Sequence, residues 1–254
     1  MTSTVVVTTE QGVCTLRLNR PEKKNSLTRE MYDSLAEAIC AADTDPERRV
    51  ILIAANGGDF CAGNDLGDFQ TRRPDDKPAA WNFLLALADT QVPLVAAVQG
   101  RAIGIGTTML AHCDFVYAEP DATFSLPFVA LGLVPEAASS QTLVQQLGYR
   151  RAAEMLLLGQ VCDATTAATI GLISAVTPAG TALATAQATA ARLAGLPRAA
   201  LRQSKQLLRR PPESLHARLQ AEITVFQERL ASTTAQELIA ATLEKRRPDP
   251  GKLD

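Results

Sequence analysis

Aromatic residues are scarce in this chain: 4% of 254 residues, with a single tryptophan and three tyrosines. That removes the stacking platforms on which single-stranded nucleic acids are held. Neither sign of charge is in excess, since 25 Lys and Arg stand against 27 Asp and Glu for a formal net charge of −2. No global field therefore draws in nucleic acid or an anionic membrane surface. Histidine occurs only at His112 and His216, far apart and in no metal-binding spacing, which argues against a metal mechanism. The five cysteines, Cys14, Cys40, Cys61, Cys113 and Cys162, are odd in number and include no Cys-x-x-Cys pair. This argues against a disulfide framework and a zinc cluster, and predicts reduced, structural thiols. No apolar stretch approaches the roughly 20 residues needed to span a bilayer. The opening Met1-Thr2-Ser3-Thr4-Val5 also lacks a charged region ahead of an apolar one, so a cytoplasmic location is expected.

What is present is an ordinary globular composition, 46% hydrophobic, on a chain long enough for a large core. Alternation over Thr4–Thr9 and Val13–Leu18, around Glu10-Gln11-Gly12, predicts an opening hairpin. Thr28 is placed to cap a helix that carries Met31, Leu35, Ala38 and Ile39 on one face and ends at Asp45-Pro46. Val50–Ala54 and Pro93–Val98 are continuous apolar runs, which suits strands covered on both faces. Phe115–Ala118 and Thr123–Ser125 predict two further short strands, and a helix is expected from Pro135 to Leu147, stopped by Gly148. From Asp163 the pattern is mainly helical apart from a strand at Ile173–Val176. Leu196-Pro197 and Pro211-Pro212 punctuate the last three helices. The polar, proline-bearing stretch Thr71–Pro78 before the apolar Trp81–Leu85 predicts a mobile loop, and the pair has the makings of a lid. The stripe Arg198, Arg202, Lys205 and Arg209 is expected to be a solvated helix face.

Two segments carry the chemistry. Phe60-Cys61-Ala62-Gly63-Asn64-Asp65-Leu66 and Gly100-Arg101-Ala102-Ile103-Gly104-Ile105-Gly106 each follow a buried apolar run and consist mostly of small residues that would open a helix. A helix N-terminus presents unpaired N–H donors and a partial positive charge, so two that converge can hold an oxygen as it turns anionic. Downstream, Val134-Pro135-Glu136-Ala137-Ala138 offers one carboxylate in an apolar neighbourhood. Oxyanion donors and one base are the minimum equipment for moving a proton beside a carbonyl. A glutamate after a proline at a helix start otherwise serves the helix dipole, and paired glycines otherwise permit close helix–strand packing. A dinucleotide-binding reading of the second segment fails on spacing, because its third glycine would fall on Met109.

Taken together, Leu18-Asn19-Arg20-Pro21 with Asn25-Ser26-Leu27, then Phe60–Leu66, Gly100–Asp114 and Phe128–Ser140, resemble the crotonase (enoyl-CoA hydratase/isomerase) superfamily over almost the whole chain. The resemblance implies an α/β fold, a crotonase-like spiral of ββα repeats with a helical C-terminal trimerisation region. Residues 1–195 would form the acyl-CoA-binding core, and 196–254 a helical region for oligomerisation that closes the active site. It also implies a homotrimer or dimer of trimers, an acyl-coenzyme A substrate, and no separate cofactor, since coenzyme A is part of the substrate.

Carried over by position, the oxyanion hole falls on the backbone N–H groups of Asn64 and Ile105, and the catalytic carboxylate on Glu136. Ile105 stands where the family usually has a middle glycine, and its bulk is expected to narrow the pocket. The two glutamates that hydratases use correspond to Thr108 and Phe128, neither of which exchanges a proton at neutral pH. A lone Glu136 resembles the Δ3-Δ2-enoyl-CoA isomerase branch, which serves fatty-acid degradation. Leu133, Val134 and Phe128 are expected to shield it and raise its pKa. The resemblance lays coenzyme A along Lys23, Lys24, the Ala62 backbone, Asp65 and Leu66, with Trp81, Phe83 and Phe128 as candidate walls of the acyl pocket. Hydratase, thioester hydrolase and ring-acyl-CoA isomerase activities are the alternatives within the superfamily, and an RNA-binding role the alternative outside catalysis.

Overall fold

In the computed structural model, which describes residues 3–67 and 78–253, the chain opens with the hairpin that its alternation predicts. Strand β1 (Val5–Glu10) pairs antiparallel with β2 (Val13–Leu18). β1 is an edge strand, largely exposed after Val5, whereas β2 alternates half-buried and buried residues because only one of its faces meets the core. Helix α1 (Arg29–Thr44) is capped by Thr28, whose hydroxyl accepts the Met31 N–H, and it buries Met31, Leu35, Ala38 and Ile39 as expected. Each large apolar side chain fully buried in this way is worth about 1.5–3 kcal/mol.

The two continuous apolar runs become β3 (Val50–Ala55) and β4 (Leu94–Val98), both buried at every residue. They lie at the centre of a sheet ordered β1-β2-β3-β4-β6-β9. β2, β3, β4, β6 (Phe115–Ala118) and β9 (Ala175–Val176) pair in parallel. A second sheet, β5-β7-β8, is built from β5 (Arg101–Ile103), β7 (Thr123–Ser125) and β8 (Cys162–Asp163).

The chain therefore repeats one step: a strand in the large sheet, a bend, a short strand in the small sheet, then helix. β4 and β5 lead into α3 (Ile105–Thr108), with α2 (Trp81–Asp89) placed before β4. β6 and β7 lead on to α4 (Ser139–Leu147). After β3 the corresponding place beside β5 is taken by Cys61, bridged in parallel to Ala102. Helices α5 (Tyr149–Leu158), α6 (Ala164–Thr169) and α7 (Ala182–Ala194) follow, with Asp163 capping α6 through the Thr166 N–H at 2.7 Å.

One expectation is corrected here. The helix predicted from Pro135 begins only at Ser139. Ala137 and Ala138 take φ of 56° and 54°, in the left-handed region, so the chain turns where the helix was expected to start. Glu136 is thus in an irregular turn and is not the first-turn acid of a helix. The Thr71–Pro78 stretch lies outside the described residues up to position 77.

The chain divides into two units, Met1–Arg192 and Leu193–Asp254. The second contains α8 (Arg198–Leu208), α9 (Leu215–Leu230) and α10 (Thr233–Leu243), the last two capped by the hydroxyls of Ser214 and Ser232. The basic stripe on α8 is not a solvated face throughout, because Lys205 is only 5% exposed. Its aliphatic stem can be buried at little cost while the charged end is satisfied. Within α10, Glu237 accepts bonds from Arg246, from the Asp249 N–H (2.8 Å) and from Lys252 Nζ (3.3 Å), tying the segment that follows back to the helix.

Candidate active site

The two glycine-bearing segments lie side by side. The Cys61 N–H donates to Arg101 O (3.0 Å) and the Ile103 N–H to Cys61 O (2.9 Å). With Cys61 opposite Ala102 in this parallel bridge, Asn64 and Ile105 stand at matching steps of the two segments. Gly63 O, in the same peptide as the Asn64 N–H, accepts from the Leu27 N–H at 2.8 Å. Gly104 O, in the same peptide as the Ile105 N–H, accepts from the N–H groups of Thr107 and Thr108, each at 2.9 Å. Both peptide planes are therefore pinned at the carbonyl end, and a bond there polarises the N–H at the other. Among the described residues, neither the Asn64 nor the Ile105 N–H has an acceptor. These are two donors of the kind that an oxyanion needs.

The glycines divide between two roles. A Cβ on Gly106 would lie 2.6 Å from Cys61 O, so this glycine allows the segments to approach. Gly104 has open space around it but takes φ 56° and ψ −119°, a conformation that side-chain-bearing residues avoid. The Ile105 side chain is fully buried and belongs to the main apolar core. Its amide is what it presents to a ligand, and the expected narrowing of a pocket by its bulk has no support in this packing.

Glu136 completes the set. Its Oε1 is buried and has no hydrogen-bond partner among the described residues, and burial alone pushes the carboxyl pKa above the usual glutamate value. Leu133 and Val134, expected to shield it, are themselves 45% and 78% exposed, so the shielding comes from the interior against which the turn is set. Cys61 is part of that interior. Its thiol is pushed up to about 12, first by burial, with the Glu136 charge adding to the rise while a bond toward Gly63 O opposes it. The left-handed backbone at Ala137 and Ala138 costs on the order of 1 kcal/mol or more at each residue, strain of the kind that collects at working sites.

The other predicted positions are arranged as follows. Lys23 and Lys24 are exposed, and Lys24 O accepts the Ala62 N–H at 2.9 Å, which brings these three residues together. Leu66 is 60% exposed. Asp65 is bound by Arg20 at 2.6 Å, and that guanidinium holds its carboxyl below the usual aspartate range. It is a paired group that braces the Arg20 turn. Phe128 is nearly buried; Phe83 is fully buried and packs on Tyr32 with ring centroids 5.6 Å apart, whereas Trp81 is half exposed. Thr108 is fully buried and its Oγ1 has no partner among the described residues.

Several positions escape a reading of the sequence. Tyr32 donates its hydroxyl to Asn64 Oδ1, so the asparagine side chain has a bonding role; its φ is not positive, and tolerance of unusual backbone angles does not explain it. Asn25, fully buried, donates to Asn56 O and Asp59 O and accepts the Arg20 N–H, joining the Arg20–Asn25 turn to the loop that leads into Phe60. His112 Nε2 lies 2.9 Å from Ala137 O. None of these partners is marked by a local spacing, because each bond joins residues far apart in sequence or depends on how the loops meet.

Comparison with known proteins places this geometry. Residues 8–251 match the family model described as Enoyl-CoA hydratase/isomerase. The chain is 36% identical over 97% of its length to a 2,3-dehydroadipyl-CoA hydratase of Escherichia coli K12, covering 98% of that protein. It is 38% identical over 90% of its length to Enoyl-CoA delta isomerase 2 of Rattus norvegicus, but spans only 60% of that longer protein. A solved structure from Magnetospirillum magneticum AMB-1, provisionally described as an enoyl-CoA hydratase/carnithine racemase, superimposes with a TM-score of 0.94 at 46% identity, covering 98% of this chain and 99% of that one. With a mixed α/β fold shared with solved structures, and a family model that matches residues 8–251, the chain belongs to the enoyl-CoA hydratase/isomerase family, the crotonase superfamily.

Proposed function

We propose that this protein processes acyl-coenzyme A thioesters, and that its reaction is the shift of a 3-enoyl-CoA double bond to the 2-position. The observation that carries this reading is the Glu136 carboxylate, raised in pKa and with a buried Oε1 that has no partner among the described residues, while Thr108 and Phe128 stand where the resemblance puts the hydratase acids. Glu136 takes a proton from the α-carbon, and the electron pair left behind moves into the thioester carbonyl, forming a dienolate. The N–H groups of Asn64 and Ile105 steady its oxygen. The protonated Glu136 then returns the same proton to the γ-carbon, the carbonyl re-forms, and the double bond is left at the 2-position with no change in composition. A carboxyl of raised pKa suits both halves, since it must accept the proton and then release it. In this reading coenzyme A runs past Lys23, Lys24, Ala62 and Leu66, and Phe128 borders the acyl chain. The helical region after residue 196, with Leu215, Ile223 and Phe226 exposed, serves assembly into trimers.

Hydration of a 2-enoyl-CoA is the second reading, and the comparisons favour it at least as well. The relative that matches from end to end is named a hydratase, whereas the isomerase match spans little more than half of its partner. The unpartnered Thr108 hydroxyl can hold a water, though it cannot take that water's proton near neutral pH. One assay separates the two. Turnover of 3-enoyl-CoA with negligible hydration of 2-enoyl-CoA supports isomerisation; rapid hydration that survives Glu136→Gln overturns it.

A further inference from the structure

His112 closes the 3₁₀ turn Met109–His112 that continues directly from α3, the helix whose first residue is Ile105. The imidazole is buried, and its Nε2 stands 2.9 Å from Ala137 O. A carbonyl oxygen only accepts, so Nε2 carries the proton and donates it. Ala137 is the residue after Glu136 and the first of two consecutive left-handed alanines, a turn that does not persist without outside restraint. The Glu136 Oε1 is held by no group among the described residues, so its position is set by its backbone. The backbone bonds from the Ser139 N–H to Glu136 O and from the Gln141 and Thr142 N–H groups to Ala138 O come from the same short stretch. His112 reaches in from another part of the chain. A second tie runs nearby from the same 3₁₀ turn, where Ala111 O accepts from Gln146 Nε2 in α4 at 2.8 Å.

From this arrangement we infer that His112 is a positioning residue. Through Ala137 O it holds the Glu136 carboxylate in fixed relation to the Ile105 amide, joining base and oxyanion donor by one short run of chain. The inference rests on the role proposed above for Glu136. It differs from a packing role because it depends on the donor at Nε2 and not on the volume of the ring.

The test compares His112→Leu, which fills the space without a donor, His112→Gln, which can place an N–H near the Nε2 position, and His112→Asn, which is too short to do so. Misplacing a reacting group by about 1 Å costs on the order of 100-fold in rate. His112→Leu and His112→Asn are therefore expected to lose on the order of 100-fold in kcat, with KM nearly unchanged. The acid limb of their pH profile is expected to move to lower pH as water reaches the released carboxylate. His112→Gln should recover most of the rate and the original profile. If His112→Leu does not fold, the Gln and Asn pair carries the same comparison. Wild-type kcat and pH profile in the Asn variant, or equal impairment of Gln and Asn, would overturn the inference. Glu136→Gln, measured alongside, separates the two levels. Full activity in that variant removes the role of Glu136 itself, whereas an inactive Glu136→Gln beside an unimpaired His112→Asn removes only the role of His112.

Discussion

Glu136 in the first unit and Glu237 in the second are both carboxylates withdrawn from water, and the protein treats them in opposite ways. Glu237, 4% exposed, is met by Arg246, by Lys252 and by the Asp249 N–H, and the bond from Arg246 leads the causes that hold its carboxyl down at about 2. Glu136 Oε1 has no hydrogen-bond partner among the described residues, and burial pushes its carboxyl up. Burial therefore does not decide the direction of a shift; the partners do. The first arrangement closes a chain end. The second leaves a charge uncompensated, which opposes stability, and such a group persists where chemistry needs it.

The largest test of this contrast exchanges the charges. Glu136→Gln should lower turnover of the enoyl-CoA substrate by about 100- to 10,000-fold, the range for losing a general base, without lowering the melting temperature. Glu237→Gln should do the reverse, lowering the melting temperature and raising amide hydrogen exchange over residues 246–253. A variant pair in which both effects fell together would erase the distinction.

Next in size is Gly106→Ala. Its new Cβ would lie 2.6 Å from Cys61 O, so the two segments must separate and the Ile105 amide must shift. A rate loss of about 100-fold, comparable to removing one oxyanion donor, is expected alongside roughly 1–3 kcal/mol of destabilisation from overpacking. Urea melts and initial rates measure the two separately.

Acidification reads the same contrast in pH. In the proposed reaction Glu136 must be ionised to act, so the acid limb of kcat/KM is expected above the usual glutamate value of 4.5. For stability the signs are opposite. The folded-state pKa of Glu136 is raised, so its cost is absent at low pH and grows as pH rises through that pKa. That of Glu237 is depressed, so its contribution is present above 4.5 and is lost as pH falls toward about 2. Acid unfolding followed in wild type and Glu237→Gln should differ within that window and converge below it.

The smallest effect is expected at Asp65, a paired carboxylate one residue from the Asn64 amide. Its ion pair with Arg20 is partly exposed, so Asp65→Asn should cost less than about 1 kcal/mol. The same thermal melts check it, and a loss as large as that of Glu136→Gln would give Asp65 a role beyond bracing the turn.

Much of the fold was legible because it rests on local pattern. Period-two alternation announced β1 and β2, unbroken apolar runs announced β3 and β4, and Thr28 announced the start of α1. The failure at Pro135 is as instructive. Proline at a first helical position followed by Glu136, Ala137 and Ala138 has every local mark of a helix start, yet the chain turns left-handed there and the helix waits until Ser139. Local propensity gives way there to a turn that makes a contact from His112, 25 residues away in sequence, to Ala137 O. The stripe on α8 failed in a similar way, since spacing shows which residues share a face and cannot show that Lys205 is buried.

By itself the sequence supplied the groups from which the proposed chemistry is drawn: small residues in two segments that can leave backbone donors free, and Glu136 as the carboxylate beside them. Only the tertiary structure decided what those groups are worth. The Cys61–Ala102 register sets the two amides in step, and burial raises the pKa of Glu136, whose Oε1 has no partner among the described residues. Residue identity supplies a donor or an acid. Its strength depends on neighbours brought from distant parts of the chain and on the water they exclude, and neither is a property of any one segment.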